Sequence, residues 1–211
     1  MFWKTKRQPD ETEIISCHLE YSRSIELING FCGRTKGTAE RLDFLEYALD
    51  VIRTDLIASY QAKQFYREII RKEANPFPFP DRFRCAEKIE VDLAATPVFT
   101  VPRKRDSIIE LLPHLKKERF AGNDNHRAIH YPYMDICYVY DGVHSVTIGK
   151  YYKTGVITAE TYDMRKVYET IYVDGEKWRY KNTGDMIADV FDYRLAVIFE
   201  IGRMIAENLS P

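Results

Sequence analysis

The strongest apolar pattern in this chain lies between Thr38 and about Glu73. Its apolar positions recur at spacings of three and four residues: Leu42, Leu45, Leu49, Ile52 and Leu56. Residues with this spacing lie on one face of an α-helix, and charged residues fill the positions between them. Thr38 is an acceptable N-terminal cap, because its hydroxyl can accept a hydrogen bond from the first turn. A weaker helical pattern covers residues 14–29, so the first third of the chain is predicted to be helical.

The segment from Asn75 to Pro80, with proline at every second position, ends this helical region. Proline lacks the N–H that a helix interior needs, and its ring clashes with the preceding turn. The pattern that follows is mixed, and residues 89–93 alternate as a short β-strand does. We therefore predict a helical N-terminal region, residues 1–80, followed by an α/β domain, residues 81–211.

The predicted domain alternates between helical and extended patterns up to the C-terminus. Its predicted elements are a helix over 106–118, a strand from Ile136 into the turn Asp141-Gly142, a helix over 145–153, a strand over 156–162, a hairpin within 168–180 and a helix over 193–208. The hairpin prediction rests on Asp174-Gly175, since Asp-Gly suits the positive φ angles of a tight turn. Pro113 should end or kink the first of these helices. The predicted fold class is α+β, with a small mixed sheet preceded by helices and closed by a C-terminal helix.

Composition excludes several functional classes. The 211 residues carry 31 basic and 32 acidic side chains, so a net charge of −1 gives no general attraction to nucleic acid or anionic lipid. No apolar run reaches the roughly 18 residues that a membrane span needs, and we predict no membrane partner. The four cysteines are scattered without a Cys-x-x-Cys pair, which is typical of a reduced, cytoplasmic protein.

The main candidate site is the segment Asp141-Gly142-Val143-His144-Ser145, here called the 141–145 box. It joins an apolar strand to the predicted start of a helix. The first N–H groups of a helix have no intrahelical acceptor, so a helix start can hold an anion such as phosphate. His144 is the candidate phosphate ligand or general acid/base, and Asp141 would orient it or hold a metal. The alternative is that His144 is a histidine at the edge of the core whose ring bonds the backbone.

The motifs around the box follow a recognisable order. They are Pro97-Val-Phe-Thr-Val-Pro102-Arg103, the helix over 106–118, Tyr138-Val-Tyr-Asp141-Gly142-Val-His144-Ser145 and Gly155-Val-Ile-Thr-Ala-Glu-Thr-Tyr162. This order resembles the ParB/sulfiredoxin-like superfamily over residues 93–163, about a third of the chain. The chain is also similar to a bacterial group of that superfamily that carries a Gly-x-His-Ser box.

The resemblance implies a small nucleotide-binding α/β core. It implies that Gly142 lets the backbone approach a phosphate, that His144 and Ser145 contact this phosphate, and that Arg103 adds a cationic contact. The implied ligands are ATP or CTP with Mg²⁺, and DNA is a further implied partner. The resemblance rests on the order and spacing of the motifs more than on any rare motif.

The box also departs from the family pattern at two positions. Members that use ATP or CTP usually have Arg directly after the His, and here Ser145 stands there, so a strong bidentate contact is missing. The redox members need a nucleophilic Cys directly before the His, and here that residue is Val143, which excludes sulfinic-acid reduction. Cys137 lies in the apolar strand and is interpreted as a packing residue. These departures favour a protein that has kept the fold and lost the chemistry.

A second polar segment offers a candidate metal site. Asp124, His126 and His130, joined by His144, carry carboxylate and imidazole groups that suit a divalent metal. A metal beside a histidine would favour phosphodiester hydrolysis, as in a nuclease. The alternative is that Gly-Asn-Asp-Asn before His126 only forms a turn, because Asn and Asp tolerate left-handed backbone conformations.

One ion pair is predicted in the last helix. Glu200 lies among apolar residues, and a buried carboxylate without a partner is costly. Arg203, three residues later, is on the same face of the helix, so we expect it or a residue of the box to pair with Glu200.

The function that follows is binding of a nucleotide or of a nucleic-acid phosphate at the box, with phosphoryl or phosphodiester hydrolysis left open. The contrasting hypothesis is a non-catalytic protein-interaction module. Dimerisation of the chain through its N-terminal helix is also left open.

Overall fold

The computed structural model describes residues 11–66, 75–102, 105–117, 120, 122 and 125–209. In chain order the elements of these residues are α1 (Glu11–Cys32), α2 (Thr38–Tyr66), β1 (Arg84–Asp92), β2 (Val98–Phe99), α3 (Arg105–Lys117), β3 (Ala128–Tyr131), β4 (Ile136–Val139), α4 (Val143–Tyr151), β5 (Val156–Tyr162), α5 (Met164–Thr170), β6 (Ile171–Val173), β7 (Lys177–Tyr180), β8 (Met186–Asp189) and α6 (Tyr193–Asn208). The α+β fold class is thereby confirmed. Among the helices described, none is long and apolar enough to cross a membrane.

The main sheet has five strands in the order β1-β5-β3-β4-β2. β1 pairs antiparallel with β5, and β3 pairs antiparallel with β4. The pairs β3/β5 and β2/β4 are parallel, so the sheet is mixed, as predicted. This order places β4, which ends just before the 141–145 box, inside the sheet, where all four of its residues are buried.

The predicted hairpin is present, and one part of it is corrected. β6 and β7 pair antiparallel with Val173 opposite Trp178, and Gly175 in the turn has a φ of +91°. β8 adds a third strand beside β7. Residues 168–170 were predicted to be extended, but they form the end of α5. Asp163 begins this helix, because its side chain accepts a hydrogen bond from the Lys166 N–H at 3.3 Å.

Pro113 was predicted to end or kink α3, and it does not end the helix, which continues to Lys117. The proline lies on the exposed side of the helix. The carbonyl that loses its intrahelical donor there can bond water instead, which lowers the cost of an internal proline.

Two clusters of buried side chains lie in the molecule. The larger core includes residues of α1, α2, α5 and α6, of the small sheet and of the main-sheet strands. Its centre is aromatic: Phe79, Trp178 and Phe199 lie with ring centroids 5.2–5.7 Å apart. The predicted division at residue 80 remains a prediction, although residues of α1 and α2 share this core with α6.

The smaller core lies on the other face of the main sheet. Its members are Val91, Leu93, Val98, Phe120, Ala128, Cys137, Val139, Val143, Val146, Ile157 and Ala159. Alternate residues of β3 and β4 separate the two cores, since Ala128 and Val139 face the smaller one while Ile129 and Tyr138 face the larger. α4 covers the smaller core, and its N-terminus therefore lies at the margin of that core.

Candidate functional site

The start of α4 depends on the glycine of the box. Gly142 is the N-cap residue and has left-handed backbone angles, with φ +69° and ψ +20°. A Cβ placed on it would lie 2.4 Å from Cδ2 of His126 and 3.0 Å from the carbonyl oxygen of Asn125. Only glycine combines this φ with such a close approach. The imidazole of His126 thus lies directly against the backbone at the helix start.

His126 and Ser145 are joined by a hydrogen bond at this place. The distance between His126 Nε2 and Ser145 Oγ is 2.8 Å. The same hydroxyl lies 2.9 Å from the carbonyl oxygen of Gly142, to which it donates. Because a serine hydroxyl has a single proton, Nε2 must then donate to Oγ, and the imidazole carries its proton on that nitrogen. The centroid of the Phe120 ring lies 5.0 Å from that of the His126 imidazole, and this contact limits the movement of the imidazole.

The backbone donors of the helix start lie beside this pair. The Val146 N–H makes the first intrahelical bond, to the Gly142 carbonyl at 3.1 Å, so the N–H groups of residues 143–145 precede that bond. Gly142, the N-cap residue, has no side chain that could cap the helix. Asp141 Oδ1 accepts a hydrogen bond from the Gly142 N–H at 3.0 Å, which places a carboxylate at the edge of the site. The aligned peptide dipoles favour negative charge here.

Two depressions open on either side of the His126–Ser145 pair. One, of about 340 Å³, is lined by Leu111, Tyr140 and the five box residues. The other, of about 610 Å³, is lined by Lys88, Glu90, Gly122, His126, Arg127, Ala128, Tyr140, Val156, Ile157, Thr158 and Glu160. Tyr140 belongs to both walls. The lining is mostly polar in the larger depression, where Glu160 is already paired with Arg84 at 2.7 Å.

The predicted site residues are only partly brought together. Asp141, Gly142, His144 and Ser145 line one depression. Arg103 lies outside the described residues, so its predicted phosphate contact has no structural description.

The candidate metal ligands are also separated as far as the structure describes them. Asp124 lies outside the described residues. His126 faces Ser145, whereas His130 Nε2 lies 3.4 Å from Asp135 Oδ1 at the other end of β3. Within the described ranges, no three His, Cys, Asp or Glu side chains are grouped so that they could hold a metal ion.

The contact of His126 with the box was not predicted from the sequence. His126 was assigned to a metal site, but the pairing of β3 with β4 brings it to the box. Beyond the paired strands, the Arg127 carbonyl accepts hydrogen bonds from the N–H groups of Tyr140 and Asp141 at 3.1 and 3.3 Å. A strand prediction for residues 128–131 with the correct partner would have placed His126 beside Gly142, but local patterns do not specify the partner strand.

Cys137 has the packing role that was predicted. It is fully buried in the smaller core, and this burial raises the pKa of its thiol to about 12. The thiol therefore stays protonated at neutral pH and is a poor nucleophile.

Comparison with known proteins gives one match. A model for a family of unknown function, DUF6710, matches residues 3–210. The chain belongs to the DUF6710 family. No curated protein and no solved structure gives a significant match to this DUF6710 chain.

Proposed function

We propose that the chain binds the phosphate group of a nucleotide or of a nucleic-acid strand at the start of α4. The observation that carries the proposal is the His126–Ser145 hydrogen bond, which lies beside a helix N-terminus whose N-cap residue is a glycine. Backbone N–H groups donate to phosphate oxygens, and the Ser145 hydroxyl and the His126 imidazole can also donate once they turn from the Gly142 carbonyl and from each other. Their convergence at the junction of two depressions leaves room for the rest of a ligand on either side.

Each group has a separate part in this proposal. The N–H groups of residues 143–145 and the dipole of α4 supply partial positive charge. His126 adds a full charge when it is protonated, and His144 lines the wall of the same depression. The Asp141 carboxylate would repel a bare phosphate. Mg²⁺ between the two would relieve this repulsion, because the ion takes oxygen ligands from carboxylates and phosphates.

Hydrolysis is the second part of the proposal. A histidine nitrogen within hydrogen-bonding distance of a serine hydroxyl is the arrangement that activates a nucleophile. For this role the imidazole of His126 must carry its proton on Nδ1 instead of Nε2, and the serine must turn its proton from the Gly142 carbonyl to Nε2. The same imidazole, or that of His144, could instead activate a water for phosphodiester hydrolysis.

The finer fold is also a proposal: a ParB/sulfiredoxin-like core formed by the main sheet with α3 and α4. It is supported by the order β2, α3, β3, β4, glycine turn, α4, Gly155 and β5, which is the order of motifs on which the resemblance rests with β3 added between α3 and β4. A cytoplasmic location is proposed from the cysteines, since no disulfide joins any of Cys17, Cys32, Cys85 and Cys137 among the described residues.

Thermal unfolding with added ligands tests the binding proposal. ATP, CTP, GTP and a short single-stranded DNA are each titrated with and without Mg²⁺ or Mn²⁺. We expect one of them to raise the unfolding temperature in a saturable way, because a ligand that binds only the folded chain stabilises it. His126→Ala and Ser145→Ala should abolish the shift, and His144→Ala should weaken it. An absence of any shift would reject phosphate binding, whereas binding that survives His126→Ala would reject the proposed geometry.

The second candidate function is a protein-interaction module, and a different surface favours it. An apolar depression of about 700 Å³ is lined by Ala58, Gln61, Ala62, Phe65, Ile108, Leu112, Thr147, Ile148, Lys150, Tyr151 and Tyr152. Phe65 is 75% exposed and Tyr151 73% exposed, and grouped exposed aromatics are typical of interaction surfaces. Sedimentation of the chain over a range of concentrations would show self-association. Phe65→Asp and Tyr151→Asp should abolish it if this surface is the interface.

A further inference from the structure

A third polar depression lies between α5, the turn after β7 and α6. Its volume is about 240 Å³. Its lining residues are Arg165, Tyr168, Glu169, Lys181, Arg203, Ala206 and Glu207. None of these residues belongs to the 141–145 box or to the two depressions beside it. Three of the seven are cationic, and one is a tyrosine that the proposed function does not use.

The hydroxyl of Tyr168 has no hydrogen-bond partner among the described residues, although it is buried. The tyrosine is 6% exposed, and its ring packs against Phe199 with the centroids 5.0 Å apart. Its oxygen lies against the backbone of α6, since a Cβ on Gly202 would come within 2.5 Å of it. A buried hydroxyl without a partner costs free energy, so nearly all such groups in native proteins are satisfied. A partner from outside the described residues would satisfy this hydroxyl.

The hydroxyl can act as a donor. Burial in the first place, and the nearby charge of Glu200 in the second, raise the pKa of Tyr168 well above its usual value. The group therefore stays protonated at neutral pH and presents an O–H to an acceptor.

Arg203 is bound to the carboxylates of Glu200 and Glu207, so the cations left at the rim beside the hydroxyl are Lys181 and Arg165. Arg203 Nε donates to Glu200 Oε2 at 2.7 Å, so the buried carboxylate of Glu200 is already neutralised. Lys181 makes no side-chain hydrogen bond or ion pair within the described ranges, and its side chain is exposed at the rim. Arg165 donates from Nε to the hydroxyl of Tyr133 at 3.0 Å. A hydroxyl donor below two rim cations is a typical arrangement for holding an oxyanion.

We propose that this depression binds a small oxyanion, of which inorganic phosphate is the probe. One oxygen accepts a hydrogen bond from the Tyr168 hydroxyl, and Lys181 and Arg165 contact the oxygens that face solvent. Because the hydroxyl is buried, binding requires the side chains around it to shift. Glu207 is paired with Arg203, and the carboxylate of Glu169 at the rim disfavours anions of higher charge, so the site selects a single small anion.

The test uses the His126→Ala/Ser145→Ala chain, so that phosphate at α4 does not contribute. Thermal unfolding is followed in sodium phosphate and in sodium chloride of equal ionic strength. We expect phosphate to raise the unfolding temperature in a saturable way. Tyr168→Phe should weaken the apparent affinity about tenfold, since a hydrogen bond to a charged group is lost. Lys181→Gln should weaken it less, and Lys36→Gln, an exposed lysine elsewhere, should have no effect.

The substitution Tyr168→Phe also has an expected result in the absence of phosphate. In chloride, removing an unsatisfied hydroxyl should leave the unfolding temperature unchanged or raise it. A lower unfolding temperature in chloride would show that the hydroxyl already has a bonded partner and would overturn the proposal. A phosphate response that matches chloride, or one that is the same in Tyr168→Phe and the parent chain, would also overturn it. Neither result bears on phosphate binding at the box, which is measured with Ser145 and His126 intact.

Discussion

The two faces of the main sheet differ in how they are packed and in what they carry. On one face, the larger core joins three long helices, the small sheet and a closely spaced group of aromatic rings. On the other, the smaller core is mostly aliphatic and is covered by α4. The candidate site lies on the second face, where a glycine allows His126 to contact the backbone. Stability thus comes mainly from one face, while the other keeps the close backbone approach that a ligand site requires.

The largest effect should come from the aromatic centre of the larger core. Phe199→Ala removes a fully buried ring that packs against Phe79, Tyr168 and Trp178. We expect it to lower the free energy of unfolding by about 3–5 kcal/mol. Val146→Ala, fully buried in the smaller core, should cost about 1–2 kcal/mol. Urea denaturation measures both, and equal losses would contradict the difference between the two faces.

Gly142→Ala should have the next largest effect, and the chain offers a matched control. Gly142 and Gly184 have similar φ angles, +69° and +74°, but only at Gly142 would a Cβ collide with neighbouring atoms. Gly184→Ala should therefore cost only the conformational strain, about 1–2 kcal/mol. Gly142→Ala should cost clearly more and should displace His126. If urea denaturation gave the same loss of unfolding free energy for both variants, this result would contradict the close contact between Gly142 and His126.

A smaller effect is expected from the His126–Ser145 hydrogen bond itself. In a double-mutant cycle of His126→Ala and Ser145→Ala, the coupling free energy should be about 0.5–1.5 kcal/mol, as for a typical intramolecular hydrogen bond. The same cycle with His144 in place of His126 is the control. A coupling within error of zero for His126 would remove the pair on which the proposed function rests.

The smallest effect concerns a turn far from the site. Burial alone would raise the pKa of Asp135, but the hydrogen bond to His130 and the charge of Arg53 outweigh this, and the pKa is lowered. A lowered pKa stabilises the fold above the unfolded-state value of about 3.9, and this contribution is lost as the pH falls below it.

The contribution of Asp135 to the free energy of unfolding should be roughly 0.5 kcal/mol, because its carboxylate is largely exposed and therefore screened by solvent. Urea denaturation at pH 6 and at about pH 3 should show it as a difference between the parent chain and Asp135→Asn. An Asp135→Asn variant with the same pH dependence as the parent would show that the pairing with Arg53 and His130 has no effect.

Local sequence patterns predicted the elements that depend on local interactions. α2 begins at Thr38 as predicted, the Asp174-Gly175 hairpin is present, and α6 has the bounds expected from its apolar spacing. The predicted partner of Glu200 is also confirmed, since Arg203 contacts it at 2.7 Å. Spacings of three and four residues, and turns of two, are set by geometry that a short segment contains.

The candidate site was predicted only in part, because it depends on contacts between distant segments. The box was found from its own residues, but β3 had to be placed between β5 and β4 before His126 could reach Ser145. Strand order and register follow from the packing of the whole sheet, and no single segment specifies them. Residues 168–170 were misassigned for a related reason: the cap that starts α5 is Asp163, which the predicted strand pattern did not include.

The most direct test of the account is an amide NMR titration of the ¹⁵N-labelled chain with the nucleotide that gives the largest thermal shift. Phosphate bound at the start of α4 polarises the N–H groups that it accepts from. The largest chemical-shift changes should therefore fall on the amides of residues 143–145 and on the imidazole nitrogens of His126. Saturable changes confined to these groups are the predicted result. Unchanged amides at residues 143–145 during saturable binding elsewhere would contradict phosphate binding at the start of α4.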